Sequence, residues 1–240
     1  MTDQGQSYNI AAIGKLLTEA DVHLDLGRYQ ETIDAFRQAI QLDTQYARPW
    51  HGLGVVYRDL GRHQEAIDAF RQAIQLDPKL AAPWNGLGSV YRDLGHTQAA
   101  IDAFQQAIRL DPKFASPHTL LGSLYEREGR LEEALGEHRR AVELDPDRGM
   151  CRCSLGSVLH KLGRDAEAAE QMARARELMR PDDYYNRACL EAVAGDAGAA
   201  LELLARAVAR RPGWLAWAQH DPDLASLHSD PRFEALIQGQ

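Results

Sequence analysis

The strings "WHGLGVVYRDLG" at 50–61 and "WNGLGSVYRDLG" at 84–95 stand 34 residues apart, and the frame around them repeats. Residues 47–80 and 81–114 are identical at 25 of 34 positions. Extending that register gives units at 13–46, 47–80, 81–114, 115–148, a slightly short 149–180, and 181–214. Self-similarity at this period constrains the fold more than any other feature. Each unit is one supersecondary motif that must bury its apolar face against its neighbours.

Within a unit the small residues are fixed. Unit position 15 is always glycine: Gly27, Gly61, Gly95, Gly129, Gly163 and Gly195. Position 8 reads Ala20, Gly54, Gly88, Gly122, Gly156 and Ala188. Position 20 is Thr32 and then alanine throughout, and position 27 is always alanine. Two apolar-periodic stretches of about a dozen residues flank position 15. The first ends at a glycine suited to a left-handed C-cap. The second ends before Asp-Pro, as at Asp77-Pro78, Asp111-Pro112 and Asp145-Pro146, where the proline disfavours helix in the residue before it. Short links make each unit an antiparallel helix pair. Glycine costs a helix interior about 1 kcal/mol relative to alanine. The glycines at position 8 and the alanines at 20 and 27 therefore mark close helix contacts.

This pattern of Trp, Leu-Gly, Tyr, Ala, Phe, Ala and Pro resembles the tetratricopeptide (TPR) repeat over 13–214, most specifically over 47–148. The resemblance implies an all-α TPR solenoid of antiparallel helix hairpins forming a right-handed superhelix. The first unit departs from it, with Leu16, Glu19 and His23 where Trp, Leu and Tyr are expected. The expected organisation is a lead-in at 1–12, six TPR-like units at 13–214, and a helical cap at 215–240. In the cap, Asp221-Pro222 and Asp230-Pro231 each place an N-cap before a first-turn proline. Leu224, Leu227, Phe233 and Leu236 are expected to cover the last hairpin. That segment looks like the cap that follows bacterial TPR arrays, so the array is expected to end there without a catalytic domain.

The TPR resemblance also implies that positions 2, 5, 9, 12 and 13 of each first helix line a concave groove. The candidate partner-binding set is Arg48, His51, Arg58, Asn85, Ser89, Arg92, Thr119, Ser123, Arg127, Ser157, His160, Lys161 and Tyr185. Most are small or polar, with cations at one level: Arg58, Arg92, Arg127, and His160 with Lys161. An arginine grips a carboxylate through two parallel hydrogen bonds, which points to an acidic extended segment. Two TPR subtypes do not match. No three consecutive units carry the Lys and Asn clamp for chaperone tails. Position 6 reads Thr18, Gly52, Gly86, Leu120, Ser154 and Asn186, without the asparagine ladder of sugar-transferase arrays. Position 6 is expected nearer the groove than position 8.

Other chemistry finds little support. The net charge of −8 argues against nucleic acid, although a cationic stripe keeps that alternative open. Cys151, Cys153 and Cys189 are too few and too oddly spaced for a disulfide framework. The "GLG" string lies inside a helix with no Lys-Ser/Thr after it, unlike a phosphate loop. His118 and His138 occupy positions 4 and 24 of one unit, where aromatics normally pack. They offer a metal-dependent hydrolase as a further alternative, against the simpler reading of hydrogen-bonded core residues. His160 and Cys153 are expected along the groove, but no group orients them as a nucleophilic pair. The opening "MTDQGQSYNI" lacks a basic and an apolar leader region, and no apolar run approaches the length of a bilayer span. The expectation is a cytoplasmic, non-enzymatic scaffold or adaptor without cofactor or metal, binding a partner protein or peptide and no membrane.

Overall fold

The computed structural model describes residues 3–211, 213–219 and 221–238. Among them stand fourteen α-helices and one 3-10 helix, and no strand. The helices are α1 (Asp3–Asp25), α2 (Tyr29–Leu42), α3 (Ala47–Asp59), α4 (His63–Leu76), α5 (Ala81–Asp93), α6 (Thr97–Leu110) and α7 (Ala115–Arg127). They continue with α8 (Leu131–Leu144), α9 (Gly149–Lys161), α10 (Asp165–Leu178), α11 (Tyr184–Val193) and α12 (Ala197–Arg210). After them come α13 (Trp214–Ala218), the 3-10 turn Pro222–Leu227, and α14 (Pro231–Gln238). Two compact units divide the chain, residues 1–124 and 125–240, with the division inside α7. The expected 1–12 lead-in is helical from Asp3 and continuous with α1.

Each first helix stops where the repeat says it should. All six position-15 glycines have positive φ, between 70° and 85°. At Gly61 the closure is a Schellman motif: Arg62 N–H donates to the Tyr57 carbonyl at 2.8 Å and Gly61 N–H to the Arg58 carbonyl at 2.9 Å. Only glycine adopts this left-handed position without a steric cost. The second helices of the first four units end at an aspartate, such as Asp77 (φ −139°, ψ 93°) and Asp111 (φ −136°, ψ 92°), whereas α10 ends at Met179 and α12 at Arg211. The Asp77 side chain then accepts from Lys79 N–H at 3.0 Å, turning the chain toward the next unit.

The fixed small residues sit at the crossings. Ala39, Ala73, Ala107, Ala141 and Ala175 are fully buried, as are Thr32, Ala66, Ala100, Ala134 and Ala200. In the N-terminal unit, a Cβ built on Gly54 would stand 2.6 Å from the Phe70 ring, and one on Gly88 would stand 2.6 Å from Phe104. Position 8 therefore receives the phenylalanine of its own hairpin. Position 6 corrects the expectation from sequence. A Cβ on Gly52 would meet Phe36 at 2.3 Å, and one on Gly86 would meet Phe70 at 2.4 Å. These glycines face the phenylalanine of the preceding unit, not an open groove. Phe70 is fully buried between the two hairpins that flank it. Burying such a ring stabilises by about 1.5–3 kcal/mol. In the C-terminal unit Met172 takes the phenylalanine's place against Gly156, and a separate close approach brings Gly149 to Met179.

Candidate functional site

In the N-terminal unit, the first-helix positions assigned to the groove fall on α3 and α5. Arg48 is exposed, and His51, Val55, Arg58, Asn85 and Arg92 are half-buried. Ser89 is buried, and its hydroxyl donates back to the Asn85 carbonyl at 3.0 Å. Ser123 bonds back to the Thr119 carbonyl in the same way at 3.0 Å. Part of the expected polar lining is thus satisfied within its own helix. His118, on the same helix as Ser123, is buried.

The cationic level is a row of ion pairs. Arg58 meets Asp59 at 2.7 Å and Arg92 meets Asp93 at 2.8 Å. Arg58 nevertheless keeps its Nε buried without a hydrogen-bond partner, and so does the Asn85 Oδ1. His51 packs against Phe70 with ring centroids 5.7 Å apart. Burial, then the charges of Arg48 and Arg58, lower its pKa to about 4. The imidazole is neutral at physiological pH beside two guanidinium groups.

In the C-terminal unit, the end of α7 carries a different arrangement. Glu126 occupies position 12, where Arg58 and Arg92 stand in earlier units. Its side chain is only 8% exposed. It accepts from His138 Nε2 at 2.8 Å and from Lys161 Nζ at 2.6 Å, with the Ser157 hydroxyl at 3.5 Å. Burial opposes the Glu126 charge, but the hydrogen bonds from His138 and Lys161 outweigh it and hold the carboxyl below its usual range. His138 is fully buried and replaces the phenylalanine of other units. Its bond to Glu126 is that of a hydrogen-bonded core residue. Arg127 and His160 are exposed, and His160 Nδ1 lies 2.7 Å from Asp165. The repeat offered a signal for this network: unit four departs from the pattern at positions 12 and 24 together, and the two substituted side chains bond each other.

Cys153 and Tyr185 correct the picture of an open lining. Cys153 is fully buried. Burial, then Asp223, Asp221 and Glu126, push its thiol well above the usual value. It is therefore a neutral thiol and no nucleophile. Tyr185 stacks on Trp214 with centroids 4.2 Å apart, and its hydroxyl donates to Asp221 at 2.9 Å. Ligand-type atoms of Cys189, Asp221 and Asp223 lie within 4.8 Å of one another. Burial and both carboxylates push the Cys189 thiol upward as well. Sequence reasoning missed this cluster because residues 215–240 leave the repeat register.

Residues 20–194 match the family model described as the cilia and flagella-associated protein 70 C-terminal domain, a TPR model. The chain belongs to this tetratricopeptide-repeat family. Among solved TPR structures, it is 26% identical to YrrB, described as a TPR protein with an unusual peptide-binding site, with a TM-score of 0.52 over 75% of this chain and 94% of that one. It is also 26% identical to MamA, with a TM-score of 0.55 over 66% of this chain and 93% of that one. A thermophilic TPR protein of Thermus thermophilus is 22% identical, with a TM-score of 0.66 over 76% of this chain and 98% of that one, and shares the fold. A comparison with curated proteins gave no match. Among the described residues, no helix of this TPR chain is long and apolar enough to cross a membrane.

Proposed function

We propose that this TPR protein is a non-enzymatic scaffold, adaptor or regulatory subunit that holds an extended, carboxylate-bearing segment of a partner protein. The first-helix face of the N-terminal unit, around Arg48, His51, Arg58, Asn85 and Arg92, is its primary site. The observation that carries this reading is a buried donor and a buried acceptor left without partners at groove positions: Arg58 Nε and Asn85 Oδ1. Buried polar atoms ordinarily have partners, and unpartnered ones carry a cost. An extended peptide supplies both complements once these two half-buried side chains turn outward, a carboxylate for Arg58 and a backbone N–H for Asn85. Neutral His51 leaves room for that carboxylate without adding a third positive charge.

The pairs Arg58–Asp59 and Arg92–Asp93 weaken the nucleic-acid alternative, because two cations of the stripe on which it depended are already paired. They are also cheap to rearrange, since such pairs near the surface contribute about 0–1 kcal/mol. The direct test is the double substitution Arg58→Glu and Arg92→Glu, assayed against a partner captured with the unmodified chain. Loss of binding with an unchanged circular dichroism spectrum supports the site. Unchanged binding moves it elsewhere on the protein.

A further inference from the structure

The residues after Trp214 do more than cover the end of α12. Asp221 caps the 3-10 turn, its Oδ1 accepting from Asp223 N–H at 3.0 Å. Its other oxygen accepts from the Tyr185 hydroxyl at 2.9 Å and faces the Cys189 sulfur at 3.7 Å. Side chains three apart on a 3-10 helix eclipse. Leu224 and Leu227 accordingly enter one apolar cluster with Tyr185, Ala188, Cys189, Ala192 and Leu204, and both leucines are fully buried. The Ser226 hydroxyl lies 3.4 Å from the Ala192 carbonyl.

Tyr185, Cys189 and Ala192 are positions 5, 9 and 12 of the sixth unit. The same positions of α3, namely His51, Val55 and Arg58, remain half-buried, whereas those of α11 are all buried. Asp223 is further influenced by Glu126 and Lys161, at positions 12 and 13 of the two preceding units. The turn therefore lies along the groove-lining positions of the C-terminal unit.

We propose that Asp221–Leu227 is an intramolecular occupant of the first-helix face of α11, and that this face exchanges it for a partner segment of the same chemistry. That chemistry is a capping carboxylate followed by two leucines three residues apart, as in the chain's own Asp-Pro-Asp-Leu-Ala-Ser-Leu. Asp221 is the latch, because it joins the cap of its own turn to the Tyr185 hydroxyl. The partner claim rests on reading the first-helix face as protein-binding, while the claim that the chain covers its own face does not.

Cys189 lies beneath the latch and gives the readout. The full chain is treated with iodoacetamide and labelling is followed separately at Cys151, Cys153 and Cys189 by mass spectrometry. The expected result is slow labelling at Cys189, rising about tenfold or more in Asp221→Ala with Cys151 unchanged, the factor given by loss of one hydrogen bond to a charged group. Tyr185→Phe removes the hydroxyl but keeps the ring and the Asp221 charge that, after burial, raises the Cys189 thiol pKa. It is expected to give a smaller rise in the same direction and so separates undocking from a lowered thiol pKa. A synthetic peptide of residues 219–229 is expected to bind Asp221→Ala and restore Cys189 protection. Unchanged Cys189 labelling in both variants, or an equal rise at all three cysteines, overturns the exchangeable occupant. Selective exposure of Cys189 without re-protection by the peptide overturns the partner claim alone.

Discussion

Gly86 lies flush against the Phe70 ring: a Cβ built on it would stand 2.4 Å from Cε1 and Cζ. Gly54 meets the same ring from the phenylalanine's own hairpin, at 2.6 Å from Cδ1 and Cε1. One side chain thus needs a glycine from each of two successive units. Gly86→Leu and Gly88→Leu are expected to destabilise to a similar degree, each by about 1–3 kcal/mol, the usual cost of overpacking. Gly136 is the control. It is exposed in α8, with nothing within 4 Å of a built Cβ, so Gly136→Ala is expected to stabilise by about 0.5–1 kcal/mol. Urea midpoints of the variants check this. A tolerated Gly86→Leu would show that position 6 is not a contact between units.

Glu126 joins α7 to α8 and α9 through His138 and Lys161. Glu126→Ala leaves fully buried His138 without its Nε2 partner, so a loss of about 1–3 kcal/mol is expected. The folded carboxyl is held below its usual range. Its contribution is therefore present above the unfolded value near pH 4.3 and is lost as pH falls through the folded one. Glu126→Gln is expected to flatten that acid limb, measured as urea stability against pH.

Asp223 has the opposite sign. Burial first, then Asp221 and Glu126, raise its pKa to about 7, with Lys161 opposing them. Tyr185 and Cys189 also face this turn, and both are held neutral by raised pKa values. A raised carboxyl favours the docked form below the free value near pH 3.9, and that preference is lost as pH rises through about 7. Amide exchange in 221–227 is expected to show weaker docking at about pH 8 than at about pH 5, after correction for intrinsic exchange, with Asp223→Asn removing most of the difference.

His51 reports on the other unit. Its folded pKa of about 4 reflects burial and the charges of Arg48 and Arg58. A carboxylate placed between those arginines offsets their repulsion. Binding of a partner segment is therefore expected to raise the His51 pKa, visible in the ring proton shifts by NMR titration. An unmoved pKa with a saturated partner would place that partner away from α3.

The repeat made most of the fold legible. Within residues 1–124 successive hairpins meet in the same register, so Gly61, Ala73 and Phe70 have counterparts whose roles are set by one geometry. Periodicity did not reveal which neighbour a residue meets. Gly86 looked like a groove position until its contact with the preceding unit's Phe70 was in view. The site was less legible. Glu126 and His138 are separate departures in sequence and become one network only through the hairpin. Tyr185 and Cys189 looked open because the turn that covers them follows no repeat rule.

The central claim is that the first-helix face of the N-terminal unit binds a partner protein. Quantitative affinity capture from the native cell, with the unmodified chain beside the Arg58→Glu, Arg92→Glu variant, tests it most directly. The predicted result is a protein enriched by the unmodified chain and reduced about tenfold or more by the variant, the scale expected when charge-assisted contacts are lost, with both chains equally folded by circular dichroism. Absence of any enriched protein, or enrichment that the two charge reversals leave unchanged, would contradict it.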